Sequence, residues 1–105
     1  ERIALDFPEL KIVCGHIGAP WQTEMIAYAR KFPNVYIDTS AYLPKRYPIE
    51  LIEYMKKDGS KKVMYGSNFP MLLPITIMQQ LDELQLKQET LNCFLYKNAQ
   101  TVFKL

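Results

Sequence analysis

Short β-rich apolar runs alternate with longer helical stripes along this chain. Lys11-Ile12-Val13-Cys14 is the first such run, apolar and β-branched, and predicts a short buried strand. Its alternation, carried forward, puts Ile12, Cys14 and His16 on one face and Val13 and Gly15 on the other. Residues 1–7 ahead of it read as the last turns of a helix stopped by Pro8. After it, Pro20 suits the first position of a helix whose apolar stripe is Trp21, Met25, Tyr28, Ala29 and Phe32. Pro33-Asn34 ends that helix.

The pattern then repeats twice. Val35-Tyr36-Ile37-Asp38-Thr39-Ser40 is the second predicted strand, and residues 41–47 form a loop long enough to lie over a site. Pro48 opens a helix with Leu51, Ile52 and Met55 on its buried side, and Asp58-Gly59-Ser60 stops it. Lys62-Val63-Met64-Tyr65-Gly66 is the third strand and runs into Ser67-Asn68-Phe69-Pro70. Pro74, Ile77, Met78, Leu81 and Leu84 mark the next helix. A last helical region carries Leu91, Phe94, Leu95, Ala99, Val102 and Phe103, with Asn98 as a cap for its final turn. Strand–helix units of about 25 residues predict a parallel α/β sheet. Residues 1–105 read as one unit with no internal boundary. Three parallel strands leave edges and a face to cover, so the expectation is a piece of a larger sheet or closed barrel.

Composition changes this picture little. The 105 residues are 49% hydrophobic and 23% charged, an ordinary globular mix, and 13 basic against 11 acidic side chains give a net charge of +2. Lys56-Lys57 and Lys61-Lys62 are read as a solvated helix end rather than a nucleic-acid surface. No run reaches the ~18 apolar residues of a membrane span. Cys14 and Cys93 lack the spacing of a disulfide scaffold, which predicts a reducing, cytoplasmic setting. The chain opens on Glu1 inside what reads as a helix tail, so it is expected to belong to a longer polypeptide.

Reactive groups of α/β sheets sit at the carboxyl ends of strands. Three tips qualify: His16, the Asp38/Thr39/Ser40 group, and Ser67/Asn68. His16 there can act as a general base, hydrogen-bond a metal-bound water or bind a metal directly; a core histidine satisfied by hydrogen bonds is the alternative. Asp38 is open between metal ligand or acid/base on one side and turn cap or partner of Arg46 on the other. Asn68 can orient substrate or water, or satisfy the backbone of the Pro70 turn. Trp21 is a candidate substrate wall, although its place on the helix stripe favours a core anchor. Cys14 reads as a small buried hydrophobe. There is no G-x-S-x-G elbow, P-loop, G-x-G-x-x-G or C-x-x-C.

At these tips the chain resembles the amidohydrolase-related family, the metal-dependent (β/α)8 TIM-barrel hydrolases that include the aminocarboxymuconate-semialdehyde decarboxylase-like proteins. The matching pieces run in the family's order from Phe7-Pro8-Glu9-Leu10-Lys11-Ile12-Val13 and Gly15-His16-Ile17-Gly18-Ala19-Pro20-Trp21 to Asn34-Val35-Tyr36-Ile37-Asp38-Thr39-Ser40. Tyr65-Gly66-Ser67-Asn68-Phe69-Pro70, Asn98-Ala99 and Val102-Phe103 complete the set. The resemblance implies the C-terminal three βα units, strands 6–8 plus the terminal helix, of such a barrel. It makes His16 the strand-6 histidine, a catalytic group or metal ligand, and puts Asn68 where a metal-binding strand-8 aspartate usually stands. An amide keeps the shape and one acceptor oxygen but not the charge. A divalent metal of the zinc or manganese class is implied for the complete protein, with no metal in this chain itself as the alternative.

Two function classes follow. The first is the C-terminal part of a metal-dependent hydrolase, or a related decarboxylase or lyase, acting on a small molecule and probing neither nucleic acid nor membrane. The second is a non-catalytic, degenerate or truncated barrel module with a structural or interaction role. Its expected partner is the rest of the barrel or another copy in a homo-oligomer. A third reading is a self-standing α/β domain that dimerises through its strand edges.

Overall fold

The computed structural model describes residues 2–66 and 74–104. Three strands, β1 (Ile12–Cys14), β2 (Val35–Asp38) and β3 (Val63–Met64), form one parallel sheet in sequence order. Ile12 pairs with Val35 and Cys14 with Ile37; Ile37 in turn pairs with Val63 and Asp38 with Met64. Helix α1 (Arg2–Asp6) precedes β1, α2 (Gln22–Lys31) joins β1 to β2, and α3 (Ile49–Lys56) joins β2 to β3. Beyond β3 come α4 (Pro74–Leu81), α5 (Gln88–Asn92) and α6 (Asn98–Phe103).

Strand alternation sorts the side chains onto two faces. Val35, Ile37 and Val63, with Ile12 and Cys14 at their margin, meet Ile26, Ala29 and Phe32 of α2, Leu51, Tyr54 and Met55 of α3, and Ile77, Leu81, Leu84 and Phe94. The opposite face carries Val13, Tyr36 and Met64, against which Ala99 and Val102 of α6 pack. The same alternation puts Lys11 and Lys62 on this second face at the amino ends, and Asp38 and Gly66 at the carboxyl ends.

Two asparagines fasten the strand entrances. The buried Asn34 amide donates to the carbonyls of Leu10 (2.8 Å), Phe7 (3.1 Å) and Ala4 (3.4 Å), tying α1 and the approach to β1 onto β2. Asn98 donates likewise to Ser60 O (2.8 Å) and Val63 O (2.9 Å). It therefore sits within continuous helical backbone and anchors the helix to β3, which corrects the expected cap. The helix widens to a π-turn over Cys93–Lys97, where the Asn98 N–H reaches back to Cys93 O. Phe94 O in that turn accepts the Tyr65 N–H at 2.9 Å, so the wide turn closes the chain leaving β3.

The helix after β1 starts later than its sequence predicts. Pro20 lies in a turn before α2, after a cis peptide bond from Ala19, and Trp21 is the cap residue. The buried stripe accordingly uses Ile26, Ala29 and Phe32, while Trp21 is 62% exposed. Trp21 is not a core anchor. Met78 and Phe103, also expected inside, are 40% and 56% exposed, and Tyr54, which the pattern left out, is buried.

Candidate functional site at the strand tips

β1 ends at Cys14, and Gly15–Gly18 curl immediately into a tight turn. His16 (φ 53°), Ile17 (φ 62°) and Gly18 (φ 76°) all take left-handed backbone. This breaks the strand alternation, so His16 does not extend the Ile12–Cys14 face. A β-branched residue with positive φ is a genuine outlier, and such strain costs of order 1–3 kcal/mol. Ile17 is held there because its side chain is 1% exposed in the main core. Gly18 is required: a Cβ on it would lie 2.1 Å from Met25 Cγ. The turn lifts His16 out of the sheet with its side chain exposed. Within the described residues His16 is therefore not part of the core.

The tip of β2 meets this turn. Ser40 Oγ accepts the His16 backbone N–H at 3.4 Å, and the Ser40 N–H donates to Asp38 Oδ1. Asp38 thus caps the turn through Oδ1. Gly66 abuts the same group: a Cβ there would come within 2.9 Å of Asp38 Oδ1 and 3.1 Å of Ser40 Cβ. The carboxylate therefore occupies the space a side chain on the third strand would need. His16, Ser40, Asp38 and Gly66 form one contiguous set across three strand tips. Ser40, which the sequence placed at the end of the second strand and in its tip group, is the member whose role the sequence did not reveal, because a hydrogen bond to backbone 24 residues away has no local signature. Ser67 and Asn68, which follow Gly66 directly, lie outside the described residues.

Beneath the tips, Thr39 is fully buried and donates to Met64 O at 3.1 Å. Burial pushes the Tyr47 phenol up to about 12. Among the described residues the Tyr47 hydroxyl is the buried side-chain polar atom with no hydrogen-bond partner, although the nearby Thr39 hydroxyl favours its ionised form. Burial also pushes the Cys14 thiol up, which suits a small hydrophobe and not a nucleophile. Trp21 stands at the far side of the turn, its backbone N–H donating to Gly18 O at 2.9 Å and its side chain exposed.

Consecutive parallel βα units with polar side chains gathered at the carboxyl ends of the strands define an α/β protein, of the kind found in open sheets and barrels alike. A family model described as Amidohydrolase matches residues 1–105. This chain belongs to the amidohydrolase family. Solved structures agree on the fold. An uncharacterised TIM-barrel protein from Bordetella bronchiseptica superposes with a TM-score of 0.86 at 26% identity, over 98% of this chain and 37% of that one. Amidohydrolase 2 from Bifidobacterium longum subsp. infantis gives a TM-score of 0.72 at 25% identity, over 99% of this chain and 44% of its own. The chain thus spans less than half the length of either protein. No curated protein matches it. Among the described residues no helix is long and apolar enough to cross a membrane.

The family is generally metal-dependent. The described residues do not compose a metal centre by themselves: no three His, Cys, Asp or Glu side chains converge among them. His16 is the sole imidazole of the sequence, and the Asp38 carboxylate is already engaged by the Ser40 N–H and walled by Gly66.

Proposed function

We propose that this chain supplies strands 6–8 and the terminal helix of an amidohydrolase-like barrel that acts on a small molecule. Its reaction class is hydrolysis of an amide, lactone or related bond, or a related decarboxylation. The carrying observation is the exposed His16, raised on a strained turn at the carboxyl end of the first of three consecutive parallel strands. In this reading His16 is the acid/base group, Ser40 holds its backbone, the Trp21 indole walls the substrate, and Asn68 orients substrate or water. A divalent ion of the zinc or manganese class belongs to the complete barrel, with its ligands mostly on other strands.

The open side of the sheet supports the barrel reading. β1 is an edge strand, and an apolar groove beside it is lined by Ile3, Ile12, Cys14, Met25 and Tyr28. Ile3, Leu5, Phe7 and Leu10 are about half exposed or more around the same edge. A preceding strand and helix, or a second copy, would cover both the unpaired edge and these side chains. The test is the intact polypeptide against a panel of small amides, lactones and decarboxylation substrates, with and without chelator. Turnover that the chelator abolishes and a divalent ion restores is expected. A clean polypeptide with no turnover on any of them favours the non-catalytic module.

A further inference from the structure

His16 is joined to the third strand by a chain of contacts that crosses all three strand tips. Its backbone N–H donates to Ser40 Oγ at 3.4 Å, and among the described residues this is the hydrogen bond that ties His16 to another strand. The other bond to its backbone, from the Ala19 N–H to His16 O at 3.0 Å, closes the turn on itself. The Ser40 N–H donates to Asp38 Oδ1, so the carboxylate fixes the backbone that carries the hydroxyl. Gly66 lies against both partners. A Cβ on it would meet Asp38 Oδ1 at 2.9 Å, Ser40 Cβ at 3.1 Å and Ser40 N at 3.2 Å.

The glycine at position 66 answers a need for space. Its φ is outside the left-handed region, so an alanine can adopt the same backbone and only the methyl group is excluded. Carbon and oxygen do not approach to 2.9 Å without displacement, and the Ser40 backbone beside them leaves the carboxylate as the group that must move. Moving it breaks the bond to the Ser40 N–H and frees the hydroxyl that receives the His16 N–H. Gly15 is the contrast: it adjoins His16 in the sequence, yet a Cβ there would meet nothing within 4 Å. We propose that Gly66 and Asp38 are positioning residues for His16, acting through Ser40 across the three strand tips. Their effect on turnover rests on the reading of His16 as the acid/base group, whereas their hold on the turn does not.

The test follows His16, the sole histidine of the chain, by NMR. Gly66→Ala should shift the His16 imidazole resonances and speed exchange of its backbone N–H about fivefold, the weight of one hydrogen bond. Gly15→Ala should leave the resonances in place and the exchange rate within about twofold. Ser40→Ala should speed exchange as Gly66→Ala does, and the two together should add nothing, since both cut one chain of contacts. Asp38→Asn, which keeps an acceptor oxygen, should retain the slow exchange that Asp38→Ala loses. The Asp38 pair reads the same contacts if Gly66→Ala does not fold. In the intact barrel Gly66→Ala should lower kcat more than it changes KM. Altered His16 signals with unaltered kcat would uphold the positioning chain and count against the acid/base reading. An unchanged His16 N–H in folded Gly66→Ala or Asp38→Ala would overturn the proposal. So would additive effects of Gly66→Ala and Ser40→Ala, or an equal response to Gly15→Ala.

Discussion

At the carboxyl ends of β1 and β2 the chain is held by strained backbone and short polar groups, whereas at the amino ends it is held by asparagine amides and lysines. The upper turn keeps two side-chain-bearing residues at positive φ, and a buried phenol below it lacks a partner. Below, Asn34 and Asn98 between them satisfy five backbone carbonyls, and Lys62 satisfies two more. Strain concentrated where a side chain must be presented, and saturation where the strands only need anchoring, is the division expected of a barrel segment whose chemistry sits at one end.

The comparison can be broken first at Gly18. Gly18→Val combines a positive φ with a Cβ 2.1 Å from Met25 Cγ. It should cost about 3–4 kcal/mol in urea unfolding, the sum of overpacking and backbone strain. A loss under 1 kcal/mol would mean that the turn rearranges freely.

Alkaline pH probes the partnerless phenol. The Tyr47 pKa is raised from 10.0 to about 12 in the folded chain, so its stabilising contribution is complete below pH 10 and is lost as pH rises towards 12. The loss is of the order of 2–3 kcal/mol. Tyr47→Phe should flatten that decline and leave stability at pH 7 unchanged or slightly higher, since it deletes an unsatisfied buried hydroxyl. A clear loss at pH 7 would show that Thr39 partners it in solution.

At the lower end, Asn98→Ala strands the Ser60 and Val63 carbonyls and should cost about 2 kcal/mol, read from the denaturation midpoint. The smallest effect belongs to His16 itself. With its side chain exposed and φ at 53°, His16→Gly should leave stability unchanged or raise it by up to about 1 kcal/mol. A loss comparable to that of Asn98→Ala would make His16 a structural residue and erase the contrast between the ends.

Much of the fold was legible because the strands are β-branched apolar runs and the breaks between units are prolines. Their parallel order followed from the spacing alone. The position of His16 at a strand tip was equally readable, but its orientation was not. Period-two alternation carries a side chain only while the backbone stays extended, and here three left-handed residues follow Cys14 at once. Trp21 was misplaced for a related reason, since Pro20 ends a turn and does not start the helix, which rotates the buried stripe onto Ile26. Asn98 looked like a cap because a helical asparagine with a distant backbone partner has no local signature.

The central claim is that the strained turn exists to present His16 for chemistry. Its most direct measurement is the pH dependence of kcat/KM for the intact barrel carrying His16→Asn, beside the unaltered protein. The account predicts a fall of about 10²–10⁴-fold, the usual weight of a general acid–base group, with one limb of the pH profile lost and an unchanged unfolding midpoint. An unchanged kcat/KM with the same pH profile would contradict it.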